Sequence, residues 1–279
     1  MKTKIIFFGN GPLADYSKKV LEENFEIIFH ARTKEDLEIV KKLKSENPEA
    51  KGILASFGVM IKSDVLDLFE PEGILNIHPS KLPKYRGSSP IETAILNGDE
   101  EFSVSIMKLV KKMDAGPIYY QETLKNTEII QIARHNRDGI IADVVMDAIP
   151  EKDDIYCALA TTGTSWLSEN LKNLPTPTDQ DEQKATYTAK LEKSMSPLDE
   201  KTKSAEELLN EVRAFLGFPK SKHDFFGLDC IVLNAHISET KDSELSLKCA
   251  DEKYLIVDKI QPAGRKPMDA KSFLNGYKK

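Results

Sequence analysis

Residues 73–87 read Gly73-Ile74-Leu75-Asn76-Ile77-His78-Pro79-Ser80-Lys81-Leu82-Pro83-Lys84-Tyr85-Arg86-Gly87, a short apolar run that passes into a loop punctuated by prolines. Two polar side chains, Asn76 and His78, stand two residues apart at the end of the run. In an extended strand, side chains two residues apart point to the same face. We therefore expect a strand that brings an amide and an imidazole to one place, followed by an irregular loop.

Comparable apolar runs occur along the first half of the chain and alternate with helical patterns. The runs cover residues 4–8, 25–29, 52–57 and 74–77, and the helical patterns cover residues 13–22, 34–44 and 63–69. This alternation is typical of βαβ units and predicts a Rossmann-like α/β domain with a mainly parallel sheet. Such sheets bind ligands beyond the carboxyl ends of their strands, where Asn76 and His78 are expected.

A carboxylate follows in the sequence Met113-Asp114-Ala115-Gly116-Pro117. Residues 102–109 and 118–122 are predicted to be two further strands, with Asp114 in the loop between them, at the same edge of the sheet as Asn76 and His78. An amine that attacks a carbonyl carbon generates an oxyanion and a charged nitrogen, so it needs hydrogen-bond donors and a proton route. Asn76 and His78 can donate, and Asp114 can orient the imidazole or relay a proton. The sequence leaves the last choice open.

The rest of the chain predicts a second, smaller domain. An amphipathic helix is expected over residues 153–173, and a polar, proline-containing stretch follows at residues 174–182. After it come a helical pattern at residues 205–215, strand-like runs at 229–236, 244–249 and 254–260, and a last helix at 269–274. Short strands between turns suit a small β-barrel. We place the first domain at residues 1–175, a linker at 176–195 and the second domain at 196–279.

Composition narrows the classes of function. No apolar run has the length of a membrane span or of a signal-peptide core, which favours a cytoplasmic protein. The three cysteines form no Cys-x-x-Cys pair and the histidines lack metal-ligand spacing, so neither a disulfide framework nor a metal is expected. The net charge of −6 is uneven, because residues 184–279 carry 17 basic and 15 acidic residues. A polyanionic partner is therefore expected at that end.

The strongest competing motif is Gly9-Asn10-Gly11-Pro12-Leu13-Ala14, which formally satisfies the dinucleotide-binding fingerprint. A dinucleotide site also needs an acidic residue at the end of the second strand to bind the ribose. The residues there are His30, Ala31 and Arg32, and Pro12 removes one amide from the turn. A nicotinamide-dependent reductase is therefore the weaker interpretation, and a tight structural turn is preferred.

Residues 76–90, together with 113–117, resemble the catalytic signature of the folate-dependent formyltransferases. Residues 185–191, with the sequence Ala-Thr-Tyr-Thr-Ala-Lys-Leu, are similar to that family's linker. Residues 260–268, with the sequence Ile-Gln-Pro-Ala-Gly-Arg-Lys-Pro-Met, are similar to its C-terminal motif. The resemblance thus covers nearly the whole chain and is strongest to the branch that formylates methionyl-tRNA.

The resemblance implies an enzyme that uses 10-formyltetrahydrofolate as formyl donor and methionyl-initiator tRNA as acceptor, and we expect a monomer. It implies catalytic roles for Asn76, His78 and Asp114, and an OB-like fold for the second domain. The folate contacts that it implies are Phe57, Gly58, Val59, Met60, Ser80, Lys81, Leu82 and Pro83. Contacts with the tRNA are expected at Arg86, Gly87, Lys190, Arg265 and Lys266.

The chain departs from the tRNA-formylating branch in three places. A helix is predicted directly after Thr33, where that branch has a long basic loop, and Lys81 replaces an apolar residue. The segment 127–150 is longer than usual, and added helical structure is expected around residues 135–139. Glycinamide ribonucleotide or a sugar nucleotide therefore remains an alternative acceptor. A non-catalytic tRNA-binding protein is the alternative from another class of function.

Overall fold

A computed structural model of the chain describes residues 2–138 and 149–277. The chain divides into two compact units, the first formed by Met1–Ile91 with Glu100–Ala189 and the second by Glu92–Asp99 with Lys190–Lys279. Residues 176–189, which we interpreted as part of a linker, lie in the first unit. The boundaries that we placed at residues 175 and 196 stay a prediction.

The first unit is built around one six-stranded sheet in the order β2-β1-β3-β4-β5-β6. Strands β1 to β4 run parallel to one another, whereas β5 is antiparallel to both β4 and β6. The predicted Rossmann-like, mainly parallel sheet is therefore confirmed. Its elements are β1 (Lys4–Gly9), α1 (Pro12–Asn24), β2 (Glu26–Ala31), α2 (Asp36–Glu46), β3 (Lys51–Ala55), α3 (Ser63–Leu66), β4 (Ile74–His78), β5 (Glu101–Lys108), β6 (Ile118–Lys125), α5 (Asn126–Asp138) and α6 (Lys152–Asn170), and α4 (Pro90–Leu96) begins in this unit.

The two faces of this sheet are covered differently. Helix α6 lies close to one face, since a Cβ added at its Gly163 would come within 3.1 Å of Ile77 and Val104. On the other face, Ile74 belongs to an apolar cluster with residues of β1, β3 and α2. Side chains alternate along a strand, so Asn76 and His78 share the face of Ile74. The polar pair of β4 therefore points away from α6.

The direction of β5 corrects one expectation about Asp114. Lys108, the last residue of β5, pairs with Leu75 near the start of β4, and the amide of Leu109 donates to Ile74. The β5–β6 loop thus leaves the sheet at the amino-terminal end of β4, not beyond its carboxyl end. To approach His78, which pairs with Ser105, the loop must turn back along the sheet by about three residues, or roughly 10 Å.

The second unit contains an antiparallel sheet in the order β11-β10-β8-β7, with β9 also paired to β10. Register shifts near Lys259 interrupt the long β8–β10 ladder, and such bulges bend a strand. The sheet curls around apolar residues that include Leu208, Val232 and Phe273. This agrees with the smaller C-terminal β-domain that we predicted, although β7 and β11 were missed. The elements are α7 (Ala205–Ala214), β7 (Ser221–Phe225), β8 (Leu228–Ser238), β9 (Ser246–Lys248), β10 (Tyr254–Pro262), β11 (Met268–Asp269) and α8 (Ala270–Tyr277).

Helix α5 accounts for part of the longer segment 127–150. It extends from Asn126 to Asp138 and so covers most of the stretch where added helical structure was predicted. Gly139 and the apolar residues Ile140, Ile141, Val144 and Val145 lie outside the described residues. In residues 2–138 and 149–277, no helix combines the length and the apolar character that crossing a bilayer requires.

Candidate active site

Strand β4 places two polar side chains inside the first unit. Asn76 and His78 are 5% and 4% exposed. In the part of the chain that the structure describes, no protein group is hydrogen-bonded to the amide of Asn76. The amide keeps a small accessible surface, because it is not among the fully enclosed side-chain atoms that lack a partner. An amide that meets no protein group but is open to a neighbouring space, two residues from a buried imidazole, indicates a place for a ligand oxygen.

The imidazole of His78 is held in one orientation by its two neighbours. Its Nε2 lies 3.1 Å from the carbonyl oxygen of Tyr85, and a carbonyl only accepts, so Nε2 carries the proton and donates it. In the neutral ring, Nδ1 then has a free lone pair. Nδ1 lies 3.8 Å from Oδ2 of Asp114, too far for a hydrogen bond but close enough to stabilise a protonated ring. The arrangement suits a proton acceptor.

Asp114 is held in place by its own loop and by the loop that follows β4. Its φ of 46° lies in the left-handed region, which non-glycine residues seldom adopt. Oδ2 accepts a 2.8 Å hydrogen bond from the amide of Gly87. The structure therefore brings His78 and Asp114 together, as predicted, and places the main chain of Gly87 next to both.

Hydrogen bonds fix the start of the loop after β4. Oγ of Ser80 donates to the carbonyl of Lys84 at 2.7 Å. Ser105 of β5 accepts from the amide of Leu82 at 3.2 Å, and Gln121 of β6 donates to the carbonyl of Leu82 at 2.8 Å. Sequence reasoning missed Ser105 and Gln121, which lie in strands with no motif around them. These partners give the segment Ser80–Pro83 a defined main-chain path.

The residues predicted to contact folate differ in exposure. Ser80 and Leu82 are buried, and Lys81 is exposed. Phe57 is buried with its ring 5.7 Å from that of Phe8, whereas Met60 is 78% exposed. Phe57 thus contributes to the core, and the loop beyond it is more accessible. A folate contact for each of the eight residues stays a prediction.

Arg86 is the largest fully buried side chain of the protein's described part and is surrounded by protein acceptors. Its Nε and Nη2 donate to Oε1 of Gln180 at 3.1 and 2.8 Å. Nη1 and Nη2 donate to the carboxylate of Glu182 at 3.2 and 2.9 Å, and Nη1 also reaches the hydroxyl of Tyr187 at 3.4 Å. All five N–H groups of the guanidinium are therefore directed at protein atoms. Its role as a contact for tRNA stays a prediction.

The other residues predicted to contact tRNA belong to different parts of the chain. Gly87 lies beside Asp114 in the first unit, as described above. Lys190, Arg265 and Lys266 are exposed residues of the second unit. Arg265 and Lys266 occupy the turn between β10 and β11, where Gln261 donates to the carbonyl of Arg265 at 2.9 Å. They remain predicted contacts.

The Gly9–Ala14 turn has a packing explanation. A Cβ at Gly9 would overlap the carbonyl oxygen of Ala55 and lie 2.7 Å from Cβ of Ala14. His30 bonds to the carbonyl of Gly9 at 3.0 Å, and burial lowers the pKa of its imidazole. The turn is thus tied to its neighbouring strands. Among residues 2–138 and 149–277, no three His, Cys, Asp or Glu side chains are grouped to hold a metal ion.

Comparison with known families extends over both units. The family described as "Formyl transferase" matches residues 10–134, which include Asn76, His78 and Asp114. The family described as "Formyl transferase, C-terminal domain" matches residues 190–278. Among relatives by sequence, the methionyl-tRNA formyltransferase of Natranaerobius thermophilus is 30% identical over 244 residues, which are 81% of this chain and 71% of that protein.

Solved structures show the same fold at lower identity. The methionyl-tRNA formyltransferase from Clostridium thermocellum superposes with a TM-score of 0.64 at 18% identity, over 94% of this chain and 99% of that one. HypX from Aquifex aeolicus, solved in complex with tetrahydrofolic acid, superposes with a TM-score of 0.68 at 15% identity, over 99% of this chain. The chain spans about half the length of HypX, 47% of it.

Proposed function

This chain belongs to the methionyl-tRNA formyltransferase family, and on that premise we propose that it transfers a formyl group from 10-formyltetrahydrofolate to the α-amino group of methionyl-initiator tRNA. The reaction forms a C–N bond between that amine and the formyl carbon and breaks the C–N bond to the folate. The protein must therefore stabilise a negatively charged oxygen and accept a proton from nitrogen.

The observation that carries the proposal is the buried, unpaired amide of Asn76 beside the His78–Asp114 pair. In this proposal, the amide donates to the formyl oxygen as its charge develops. No protein partner among the described residues has to be displaced first. A donor that the protein holds in a largely buried position stabilises an oxyanion more than water does.

The proton of the attacking amine goes to Nδ1 of His78. That nitrogen has the free lone pair, since Nε2 donates to the carbonyl of Tyr85. The carboxylate of Asp114, 3.8 Å away, stabilises the imidazolium that results. The imidazolium of His78 then gives this proton to the folate nitrogen as the C–N bond to the folate breaks, so the charge at the site returns to its starting value. This assigns His78 as general base and Asp114 as its electrostatic partner.

The formyl donor is proposed to lie along the loops that follow β3 and β4. The segment Ser80–Pro83 offers a fixed main chain, and Gly58, Val59 and Met60 offer an accessible loop on the same side of the sheet. A largely apolar groove with a few main-chain polar contacts is the usual environment of a pteridine-sized ring. Lys81 extends its ammonium into solvent, which suits the anionic tail of a folate.

The tRNA is proposed to bind the exposed basic residues Lys190, Arg265 and Lys266, with Gly87 beside the reacting amine. The short connection between β2 and α2, residues 32–35, is the observation that keeps a smaller amine as second candidate acceptor. A cytoplasmic location and a monomeric state belong to the same proposal.

Parallel assays with one formyl donor test the proposal. The protein is incubated with 10-formyltetrahydrofolate and either methionyl-tRNA, glycinamide ribonucleotide or an amino-sugar nucleotide, and each product is analysed for a formyl group. We expect formyl-methionyl-tRNA. Transfer to one of the small amines alone would assign that acceptor instead, and tRNA binding with no transfer to any amine would favour a non-catalytic binding protein.

A further inference from the structure

A segment that looks like a linker in sequence is attached to the active-site loops at both of its ends. Thr178 and Ile118 exchange two main-chain hydrogen bonds of 2.8 Å. Farther along, the amide of Arg86 donates to the carbonyl of Thr186 at 2.9 Å, and the amide of Thr188 donates to the carbonyl of Arg86 at 2.8 Å. Residues 178–188, which we call the strap, therefore run from the edge of the sheet to the loop after β4.

One side chain of the strap, Gln180, connects the two loops that form the candidate site. Its Nε2 donates to the carbonyl oxygens of Asp114 and Gly116, each at 2.7 Å. Its Oε1 accepts from Nε and Nη2 of Arg86. The amide has only one orientation here, because guanidinium groups only donate and carbonyls only accept. Both of its N–H groups and its oxygen are used.

The Asp114 loop needs this kind of support. Asp114 has a left-handed φ of 46°, an arrangement that persists only when neighbouring groups hold it. Gly116 comes so close to the carbonyl of Lys108 that a Cβ there would overlap the oxygen. The main chain on either side of Ala115 is thus anchored by one glutamine, while the carboxylate of Asp114 is anchored by Gly87.

The partner of Gln180 is itself immobilised. Arg86 has no exposed side-chain surface, and it shares Glu182 with Lys112, whose Nζ lies 2.5 Å from Oε2 of that carboxylate. An Arg–carboxylate pair with two parallel contacts fixes direction as well as distance. Gln180 therefore ties the Asp114 loop to a rigid group and not to a mobile surface side chain.

We propose that Gln180 is a positioning residue for formyl transfer, which sets the distance between Asp114 and Nδ1 of His78 by holding the main chain at residues 114 and 116. The proposal rests on the proposed function only for its effect on turnover. Gln180 itself touches neither His78 nor the reacting atoms. Displacements of about 1 Å at a catalytic group can lower a rate by roughly a hundredfold.

The variant Gln180→Glu separates the two contacts of this side chain. A carboxylate can still accept from Arg86, but it cannot donate to the carbonyls of Asp114 and Gly116 and repels them instead. The matched control is Gln183→Glu, the same change at an exposed position of the strap. We expect kcat to fall by about 10- to 100-fold in Gln180→Glu, with KM for the formyl donor within about twofold of the original and the melting temperature retained.

A second readout does not depend on activity. The amide of Gly87 donates to the carboxylate of Asp114, so its hydrogen exchange reports how firmly the loop is held. We expect faster exchange at Gly87 in Gln180→Glu, and unchanged exchange in β1 and in the Gln183→Glu control.

Two results would overturn the positioning role. One is unchanged kcat together with unchanged exchange at Gly87. The other is a joint fall of kcat, donor affinity and melting temperature with faster exchange throughout the first unit, which describes a general loss of structure. If the unmodified protein formylates none of the amines, the proposed function fails. The exchange at Gly87 then still decides whether Gln180 holds the Asp114 loop.

Discussion

At the scale of single residues, the amide of Asn76 offers the most direct test of the chemistry. The change Asn76→Asp keeps the shape of the side chain but replaces the donor by an oxygen that repels a developing oxyanion. We expect kcat to fall by about a hundredfold or more, since losing one such donor raises the barrier by about 3 kcal/mol. Formyl transfer to methionyl-tRNA, followed by quench and gel analysis, measures it.

The control for this change is Asn24→Asp, at an exposed residue that ends α1. It should leave kcat unaltered. Unfolding in urea should also show that Asn76→Asp remains folded, because no protein hydrogen bond is lost in the described part of the chain. Full activity of Asn76→Asp would remove the amide from the mechanism.

At Gly87, both the backbone conformation and the lack of space for a side chain require glycine. Its φ of 123° is accessible to glycine only, and a Cβ would overlap Oγ1 of Thr188. We expect Gly87→Ala to lower the free energy of unfolding by about 1–3 kcal/mol, and to lower kcat because the amide that bonds to Asp114 is displaced. Urea denaturation and the formyl-transfer assay measure the two effects.

A second glycine provides the comparison. Gly58 also has a positive φ, 70°, but no atom lies within 4 Å of an added Cβ. Gly58→Ala should therefore lose only the conformational part of the stability. If the two variants lose equal stability, the contact with Thr188 has no energetic weight.

The residues of the site differ in how far sequence could predict them. Asn76, His78 and Asp114 stand within recognisable motifs, and the structure brings the last two to 3.8 Å. Gln180 has no such signal, because its partners are 64 to 94 positions away along the chain. From its polar neighbours, Gln180 would be expected to lie in solvent, and only its long-range contacts show otherwise. The tautomer of His78 likewise depends on a carbonyl that the sequence does not place.

At the scale of elements, composition did not predict the main-chain contacts of the strap. Its threonines and acidic residues, with Pro175 and Pro177 just before it, are typical of linkers, yet its main chain pairs with Ile118, Pro83 and Arg86. Hydrogen bonds, and not the burial of apolar side chains, hold the strap in place. Such bonds leave no periodic pattern in the sequence. Strand β7 was missed for a related reason, since Ser221–Phe225 has four polar residues in a row and only one apolar residue, so it carries no alternating pattern.

The strap should make stability depend on pH through Glu182. Arg86 and Lys112 bind its carboxylate and lower its pKa to about 2. A carboxyl with a lowered pKa stabilises the fold above its unfolded pKa, near 4.5, and that contribution is lost as pH falls through the folded value. We expect the stability of the protein to decline between those two pH values, and Glu182→Gln to decline less.

Thermal unfolding across that pH range measures the difference. Glu23→Gln, at an exposed residue of α1, is the control and should follow the unmodified protein. If the melting temperatures of Glu182→Gln and of the unmodified protein fall equally with pH, the carboxylate of Glu182 does not contribute to the pH dependence of stability. Because Glu182 is half exposed, the effect should shrink at high salt.

At the scale of the whole molecule, the alternation of apolar runs and helices sufficed to predict the sheet. It did not predict that β5 is antiparallel to β4, because strand direction depends on the connection through α4 and on pairing between distant residues. Because β5 runs opposite to β4, the loop that carries Asp114 leaves the sheet beside the start of β4. The sequence alone did not indicate this. The small second unit was predicted from turn spacing, but its curvature depends on bulges near Lys259.

The basic residues of the second unit lead to a prediction about tRNA affinity. Each phosphate contact steepens the dependence of log Kd on log salt by about 0.7 to 0.9. Replacing Lys190, Arg265 and Lys266 together by glutamine should therefore weaken tRNA binding and reduce this slope by about 2 to 3. Filter binding of methionyl-tRNA across a series of salt concentrations measures the slope.

The control replaces three exposed lysines of the first unit, Lys19, Lys42 and Lys172, by glutamine. It makes the same change in net charge and should leave the slope within error of the original. If both triple variants lose affinity equally, the attraction comes from the overall charge and the proposed contacts are wrong.

The second unit is discontinuous in sequence, because Glu92–Asp99 belongs to it together with Lys190–Lys279. A chimaera made by joining two relatives at residue 190 would therefore combine one parent's segment 92–99 with the other parent's segment 190–279. Transplanting both segments together would keep the native pairing. During synthesis, residues 92–99 leave the ribosome about ninety residues before residue 190 does. The second unit can therefore assemble only after the first unit has left the exit tunnel.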